Sequence, residues 1–281
     1  MSLFPLAISG SFSLGARAAN LIDPAAISAA RFAIAAGVVA GVAVAGPGIR
    51  RGSFRAPWRY LVLGGLFAAY FVLMFKGLKT AAPVSAAAVF TLTPLISAGF
   101  GWLLLRQRMT PRIAAALLLG AAGALWVIFR GDIGALLRLE LGRGEAIYLV
   151  GCVAHALYTP MVRRLNRGET PLASTLATLC AGTLVLLVWD WQAIWHTDWA
   201  HLPAIVWITL IYVAVFASAL TTLLVQYAAM RLPASKVMAY TYLTPLWVIL
   251  LEGALTGRTP GGALLPGVFA TIAALLLLLR D

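Results

Sequence analysis

The chain has 281 residues, 62% hydrophobic and 11% charged, with a mean hydropathy of +0.94 and a formal net charge of +12. A soluble domain carries about a quarter charged residues, so there is too little polar surface here to cover a water-soluble globule. The medium is therefore largely lipid, where only helices or closed barrels satisfy the backbone, and apolar runs of roughly 20 residues without period-two alternation exclude the barrel.

An all-α membrane protein follows, with ten predicted spans. The first five are residues 3–20, 25–46, 58–79, 82–105 and 111–129. The second five are residues 144–165, 170–189, 203–230, 233–256 and 261–279. The start, "MSLFPLAISGS", lacks a basic n-region and reads as a retained helix, not a cleaved signal. The third span ends near Lys76 and Lys79, whose long stems can snorkel to the interface; Lys76 could instead attract a carboxylate.

The fourth span, "FTLTPLISAGF", places Pro94 inside an apolar run. Proline removes a donor and clashes with the preceding turn, so an interrupted helix is predicted there. Thr91 and Thr93 can re-satisfy or present the freed carbonyls, and Phe90 can wall a cavity. In the sixth span His155 precedes Tyr158 by one turn. His155 is either a hydrogen-bonded packing residue or, with a pKa near neutrality, a proton relay. Ser218, Thr222 and Gln226 recur every four residues on the eighth span. That stripe is either helix-packing glue or cavity lining.

The ninth span, "YTYLTPLWVIL", repeats the proline break at Pro245, with Tyr240, Thr241, Tyr242 and Thr244 around it. Glu252, near its end, either reaches interfacial water or titrates during transport. His196, Asp198 and His201 in "WHTDWAH" have a spacing that could hold a metal, but an interfacial tryptophan loop is the preferred reading, with Trp189, Trp191, Trp195 and Trp199. Cys152 and Cys180 lie in apolar runs, without a disulfide framework or metal spacing.

The basic charge would suggest nucleic acid in a soluble protein. Here it sits in short loops and reports topology, so no nucleic-acid partner is expected. One side collects Arg50, Arg51, Arg55, Arg59, Arg106, Arg108, Arg112, Arg163, Arg164, Arg167, Arg231, Lys236 and Arg280. The other collects Asp23, Asp132, Glu140, Glu145, Asp190 and Asp198. The positive-inside rule then places both termini in the cytoplasm.

The halves resemble one another. "AAPVSAAAVFTLTPLISAGFGWLLLRQRMTP" aligns with "LPASKVMAYTYLTPLWVILLEGALTGRTP". Two repeats are expected, residues 1–135 and 144–281. Five spans per copy is an odd number, so the second copy enters the membrane inverted, a common build for secondary transporters. Substrate sites in such proteins lie near the midplane, where interrupted helices expose backbone groups to a cavity.

With "GSFSLGAR" in the first span, "DPAAISAARF" in the second and both copies of the proline motif, the chain resembles the EamA-type branch of the drug/metabolite transporter superfamily. Within it the chain is most similar to bacterial exporters of aromatic and other neutral amino acids. The resemblance implies ten helices in two inverted repeats, a bacterial inner-membrane location and an arginine at Arg31 that acts as a structural clamp or a substrate ligand. The chain departs from the family pattern at Ser9-Gly10, where tryptophan-glycine is frequent. Gln107 and Thr256 stand where glutamates are frequent.

The expected function is alternating-access export of small metabolites, with a small-molecule substrate and the bilayer as partners and a monomeric state. The expected site comprises Phe90, Thr91, Thr93, Pro94, His155, Tyr158, Ser218, Thr222, Gln226, Tyr240, Thr241, Tyr242, Thr244 and Pro245. His155 and Glu252 are the groups that could couple protons. No ATP-binding loop or cofactor fingerprint is present, so no cofactor is expected. An integral-membrane lipid-modifying enzyme and an exporter of drug-like or nucleoside metabolites are the alternatives.

Overall fold

A computed structural model describes residues 3–46, 49, 51–138, 141–257 and 261–279. Arg50, Glu140 and Arg280, used above for topology, lie outside the described residues, as does the side chain of Arg51.

Short dipeptides set the helix starts. In Asp23-Pro24, Thr110-Pro111 and Thr170-Pro171 a capping side chain precedes a proline at the first helical position. Asp23 accepts from Ala25 N at 2.7 Å, Thr110 from Ile113 N at 3.2 Å and Thr170 from Ala173 N at 3.3 Å. Each satisfies a donor the helix start leaves unpaired, and proline lacks one there to satisfy.

The helices are α1 (Leu3–Ala18), α2 (Pro24–Ala45), α3 (Trp58–Leu78), α4 (Pro83–Phe90), α5 (Thr93–Leu105), α6 (Pro111–Ile128), α7 (Ile133–Leu137) and α8 (Arg143–Leu165). They continue with α9 (Pro171–Trp189), α10 (Trp191–His196), α11 (Ala204–Ala214), α12 (Thr221–Ala229), α13 (Ala234–Met238), α14 (Thr244–Thr256) and α15 (Leu265–Leu279). Short α7 and α10 occupy the two longest connections. Among the described residues nine helical rods are long and apolar enough to cross a membrane. Three of them are composite: α4 with α5, α11 with α12, and α13 with α14. The remaining predicted span, α1, is a helix of 16 residues.

Helix α3 packs on α8 and α9, α2 on α9, and α6 on α15. Helix α1 lies against α11 and α14, and α5 against α8 and α13. Lipid is as apolar as leucine, so close backbone approach and buried polar contacts hold such rods together. Gly64 of α3 meets Gly182 of α9 so closely that a Cβ at Gly64 would fall 2.4 Å from the Gly182 nitrogen. Gly123 of α6 and Gly267 of α15 make a similar crossing, with each added Cβ 2.6 or 2.7 Å from the other's carbonyl oxygen.

An ion pair fastens α3 to the turn between α8 and α9. Arg59 Nη2 donates to Glu169 Oε1 at 2.7 Å, with side chains only 2% and 7% exposed. Arg59 Nη1 also donates to the carbonyl of Leu165 at 2.6 Å. At the opposite end of the bundle, Arg17 of α1 pairs with Glu252 of α14 at 3.0 Å.

Candidate functional site

The proline break forms where the sequence placed it. Helix α4 stops at Phe90 and α5 begins at Thr93, with Pro94 in its first turn. Proline 94 cannot donate to the carbonyl four residues back, that of Phe90. The hydroxyl of Thr93 donates to that carbonyl instead, and the hydroxyl of Thr91 donates to Ala88 O at 2.7 Å. The second break is spread further. Residues Ala239–Leu243 form a 3-10 stretch before Pro245 in the first turn of α14. There the hydroxyls of Thr241 and Thr244 are buried without a partner among the described residues.

A third irregularity has no proline. Between α11 and α12 the chain widens into a π-helical turn, Val215–Leu220. Such bulges displace backbone carbonyls from the regular ladder and occur mostly at functional sites. The displaced carbonyls are taken by Arg31 of α2. Its Nη2 donates to Ala217 O at 3.1 Å and Val213 O at 3.3 Å, and its Nε to Ser218 Oγ at 2.8 Å. Its guanidinium lies 3.6 Å from the centre of the Phe71 ring. Arg31 is fully buried, and its Nη1 has no partner among the described residues. It therefore clamps a bulge within a span.

Beyond Phe71 the aromatic side chains are continuous. Tyr70 lies 4.5 Å from Phe71, and the His155 ring stacks 4.4 Å from Tyr70. Phe90, Phe67 and Tyr158 surround His155 at 5.6, 5.9 and 6.0 Å. Tyr70 and Tyr148 share a hydroxyl hydrogen bond of 3.0 Å. Phe12 of α1 reaches both Phe90 and Tyr148 at 5.9 Å. Both ring nitrogens of His155 are buried without a partner among the described residues. Buried polar atoms are nearly always paired, so a ring with two unpaired nitrogens, joined through Tyr70 and Phe71 to the Arg31 guanidinium, needs an explanation.

Helix α1 brings the irregular segments together, since it packs against α4, the π turn and the 3-10 stretch. Its Ser11 and Ser13 hydroxyls are buried and unpartnered among the described residues, as is that of Thr222 on α12. Gln226 is saturated by contrast. Its amide donates to Tyr158 at 2.8 Å and Thr178 at 3.3 Å, and its oxygen accepts from Ser174 at 3.1 Å. Gln226 thus braces α8, α9 and α12, the packing role of the two weighed for the stripe.

Not every expected residue joins this assembly. Tyr242 packs with Ile113, Leu117 and Leu275 in a separate cluster, its ring filling the space a side chain at Gly120 would take. Tyr240 is half-buried. Glu252 sits by its Arg17 partner at one end of the bundle, away from the aromatic cluster. Phe12, Phe67 and Tyr148 enter the cluster without having been predicted, because an aromatic in an apolar span carries no local mark of which face it occupies.

The EamA-like transporter family profile matches the chain twice, over residues 2–129 and 142–280. The chain belongs to the EamA-like transporter family. An uncharacterized transporter of Bacillus subtilis, YyaM, is 29% identical to this EamA-like chain over 279 residues, covering 98% of it and 89% of YyaM. The aromatic amino acid exporter YddG of Ancylobacter novellus is 27% identical over 201 residues, covering 69% of this chain and 68% of YddG. A crystal structure only 18% identical superposes with a TM-score of 0.75 over 98% of this chain and 94% of its own, which shows the fold alone. The EamA-like protein is thus a multi-pass membrane transporter, and Arg31 with its π turn and the His155 cluster are among the parts of it with buried unpartnered polar atoms.

Proposed function

We propose that this transporter exports small metabolites, chiefly aromatic and other neutral amino acids, by alternating access across a bacterial inner membrane. Both termini lie in the cytoplasm in this reading. The observation that carries it is the buried His155 ring, with two unpaired nitrogens, inside a shell of Phe67, Tyr70, Phe90 and Tyr158. Aromatic walls suit an aromatic or apolar side chain. A single cation, Arg31, suits one carboxylate and is too little for a phosphate carrier. The exporter YddG among the relatives supports the same substrate class.

The two halves, residues 1–135 and 144–281, act as inverted repeats. The packing supports this: α2 on α9 and α6 on α15 join equivalent parts of the two halves, and the contact of α5 with α13 has its counterpart in that of α4 with α14. Two similar units of opposite direction can exchange conformations at similar energy, so either side can open. Thr91, Thr93, Thr241 and Thr244 belong to the flexing points at Pro94 and Pro245, and Ser218 and Thr222 to the bulge that Arg31 holds. Transport needs no cofactor and no partner beyond solute and bilayer, and the protein works as a monomer. Solute moves by facilitated diffusion or with weak proton dependence, His155 being the group a proton would use.

The test is counterflow of labelled tryptophan, phenylalanine and leucine into proteoliposomes, with and without a pH gradient. Exchange of tryptophan and phenylalanine, weakly dependent on the gradient, is the expected result. Exchange of none of the three would overturn the substrate assignment.

A further inference from the structure

A cavity of about 500 Å³ opens between the start of α4 and the ends of α6 and α14. Pro83, Val84, Ser85, Arg130, Glu252 and Thr256 are among its walls. A second cavity of about 350 Å³ adjoins it and shares Ser85 and Arg130, adding Asp132 and Glu145. Together they make a vestibule at the first turn of α4, a helix whose last residue, Phe90, belongs to the His155 cluster.

The start of α4 lacks the side-chain cap that opens α2, α6 and α9. Its cap residue, Ala82, has no side chain to offer, and Pro83 has no N–H. The amides of Val84 and Ser85 therefore find no acceptor among the described residues. Helix starts leave such donors for a ligand, water or a side chain. The Ser85 hydroxyl, on a residue only 6% exposed, is also unpartnered among them. Arg130 adds a cation. It holds a left-handed backbone conformation, φ 55°, unusual for a residue with a side chain.

The other half shows what this position takes. By the sequence repeat, Pro83-Val84-Ser85 corresponds to Pro233-Ala234-Ser235. There the Ala234 amide is not free. It donates to the side-chain oxygen Oε1 of Gln107 at 3.1 Å. One copy of the helix start holds an oxygen acceptor, and the other faces an open cavity with a cation beside it.

We propose that the first turn of α4 and Arg130 bind the carboxylate of a small solute in this vestibule. Glu145 in the adjoining cavity then takes its ammonium group, beside Asp132, whose Oδ1 also accepts from Ala135 N at the start of α7. Glu252 is engaged by Arg17 and leaves that task to Glu145. The proposal rests on the amino-acid reading for the identity of the solute, and the carboxylate site itself can be tested without it.

The experiment is labelling of Ser85→Cys, in a Cys180→Ala background, by a membrane-impermeant thiol reagent. Three probes compete: phenylalanine, hydrocinnamate, which lacks the amine, and phenylalaninamide, which lacks the carboxylate. Both carboxylates should slow labelling, and phenylalaninamide should not. Adding Arg130→Gln should raise the protecting concentration about ten-fold, the worth of one charge-assisted hydrogen bond. Arg130→Lys, which keeps the cation, should retain much of the protection and shows that the fold tolerates change there. Equal protection by the amide, no protection by either carboxylate, or protection unchanged by Arg130→Gln overturns the site. Protection by hydrocinnamate alone supports the carboxylate site and leaves the amino-acid assignment to fall by itself.

Discussion

His155 poses a clear choice between packing and chemistry. If the ring only fills space, His155→Phe should conserve both stability and transport. Two unpaired buried nitrogens each cost about 1–3 kcal/mol, so phenylalanine should be at least as stable. Flux should nevertheless fall by about ten-fold or more if the nitrogens meet the solute, since one lost hydrogen bond to a charged group is worth that factor. Thermal unfolding in detergent, read beside counterflow, separates the outcomes. Glu169 offers a second measurement. Burial alone would raise its pKa, but the hydrogen bonds from Arg59 and the Arg167 amide outweigh it and hold the carboxyl below its ordinary value. Its stabilisation is then complete above about pH 4.3, the unfolded value, and is lost as pH falls through the lowered native value. The gap in unfolding temperature between wild type and Glu169→Gln should stay constant near neutrality and close in acid. Arg59→Ala, which strands a buried carboxylate, should cost about 3–5 kcal/mol at neutral pH.

At the scale of elements, the glycine crossings carry the strongest steric constraint. A methyl group at Gly64 would meet the Gly182 backbone of α9 at 2.4 Å, and a backbone cannot rotate aside as a side chain does. Gly64→Ala should therefore push α3 from α9 and lower stability by about 1–3 kcal/mol, as overpacked cores do. Gly65→Ala, where nothing lies within 4 Å, is the control and should be neutral. The spans were legible because their ends are chemically marked. Pro24, Pro83, Pro111 and Pro171 open helices, and arginines cluster beyond the ends, so the predicted limits fall within a residue or two for most rods. The break at Pro94 was legible for the same reason. The π turn at Val215–Leu220 was not. "VFASAL" has no proline, and a hydrogen-bond register one residue wider leaves no trace in composition. Its stabiliser, Arg31, lies nearly 190 residues earlier. That partnership exists only once α2 and the α11–α12 rod are packed together. The place of the Tyr242 ring over Gly120 likewise depends on packing between rods and has no local mark in the sequence.

At the scale of the molecule, the two ends of the bundle are in different states. Where α5 meets α13, Gln107 caps Ala234 and Arg164 donates to Leu104 O at 3.3 Å. Where α4 meets α14, the vestibule separates Val84 and Ser85 from Thr256. If the halves exchange conformations, closing one end opens the other, and the Gln107 cap is a contact made in only one of the two states. Removing it must shift the population, since a contact unique to one state biases the equilibrium by its own free energy. A net hydrogen bond is worth about 0.5–1.5 kcal/mol, so Gln107→Ala should change the ratio of states about two- to ten-fold. Two single-cysteine reporters read the shift, Ser85→Cys at one end and Ser235→Cys at the other, with impermeant reagent applied from each side. Gln107→Ala should speed labelling of the Ser235 reporter and slow labelling of the Ser85 reporter. The reciprocity is the decisive part: a local loosening around Gln107 would raise the first rate and leave the second alone, and that result would show that the two ends are not coupled.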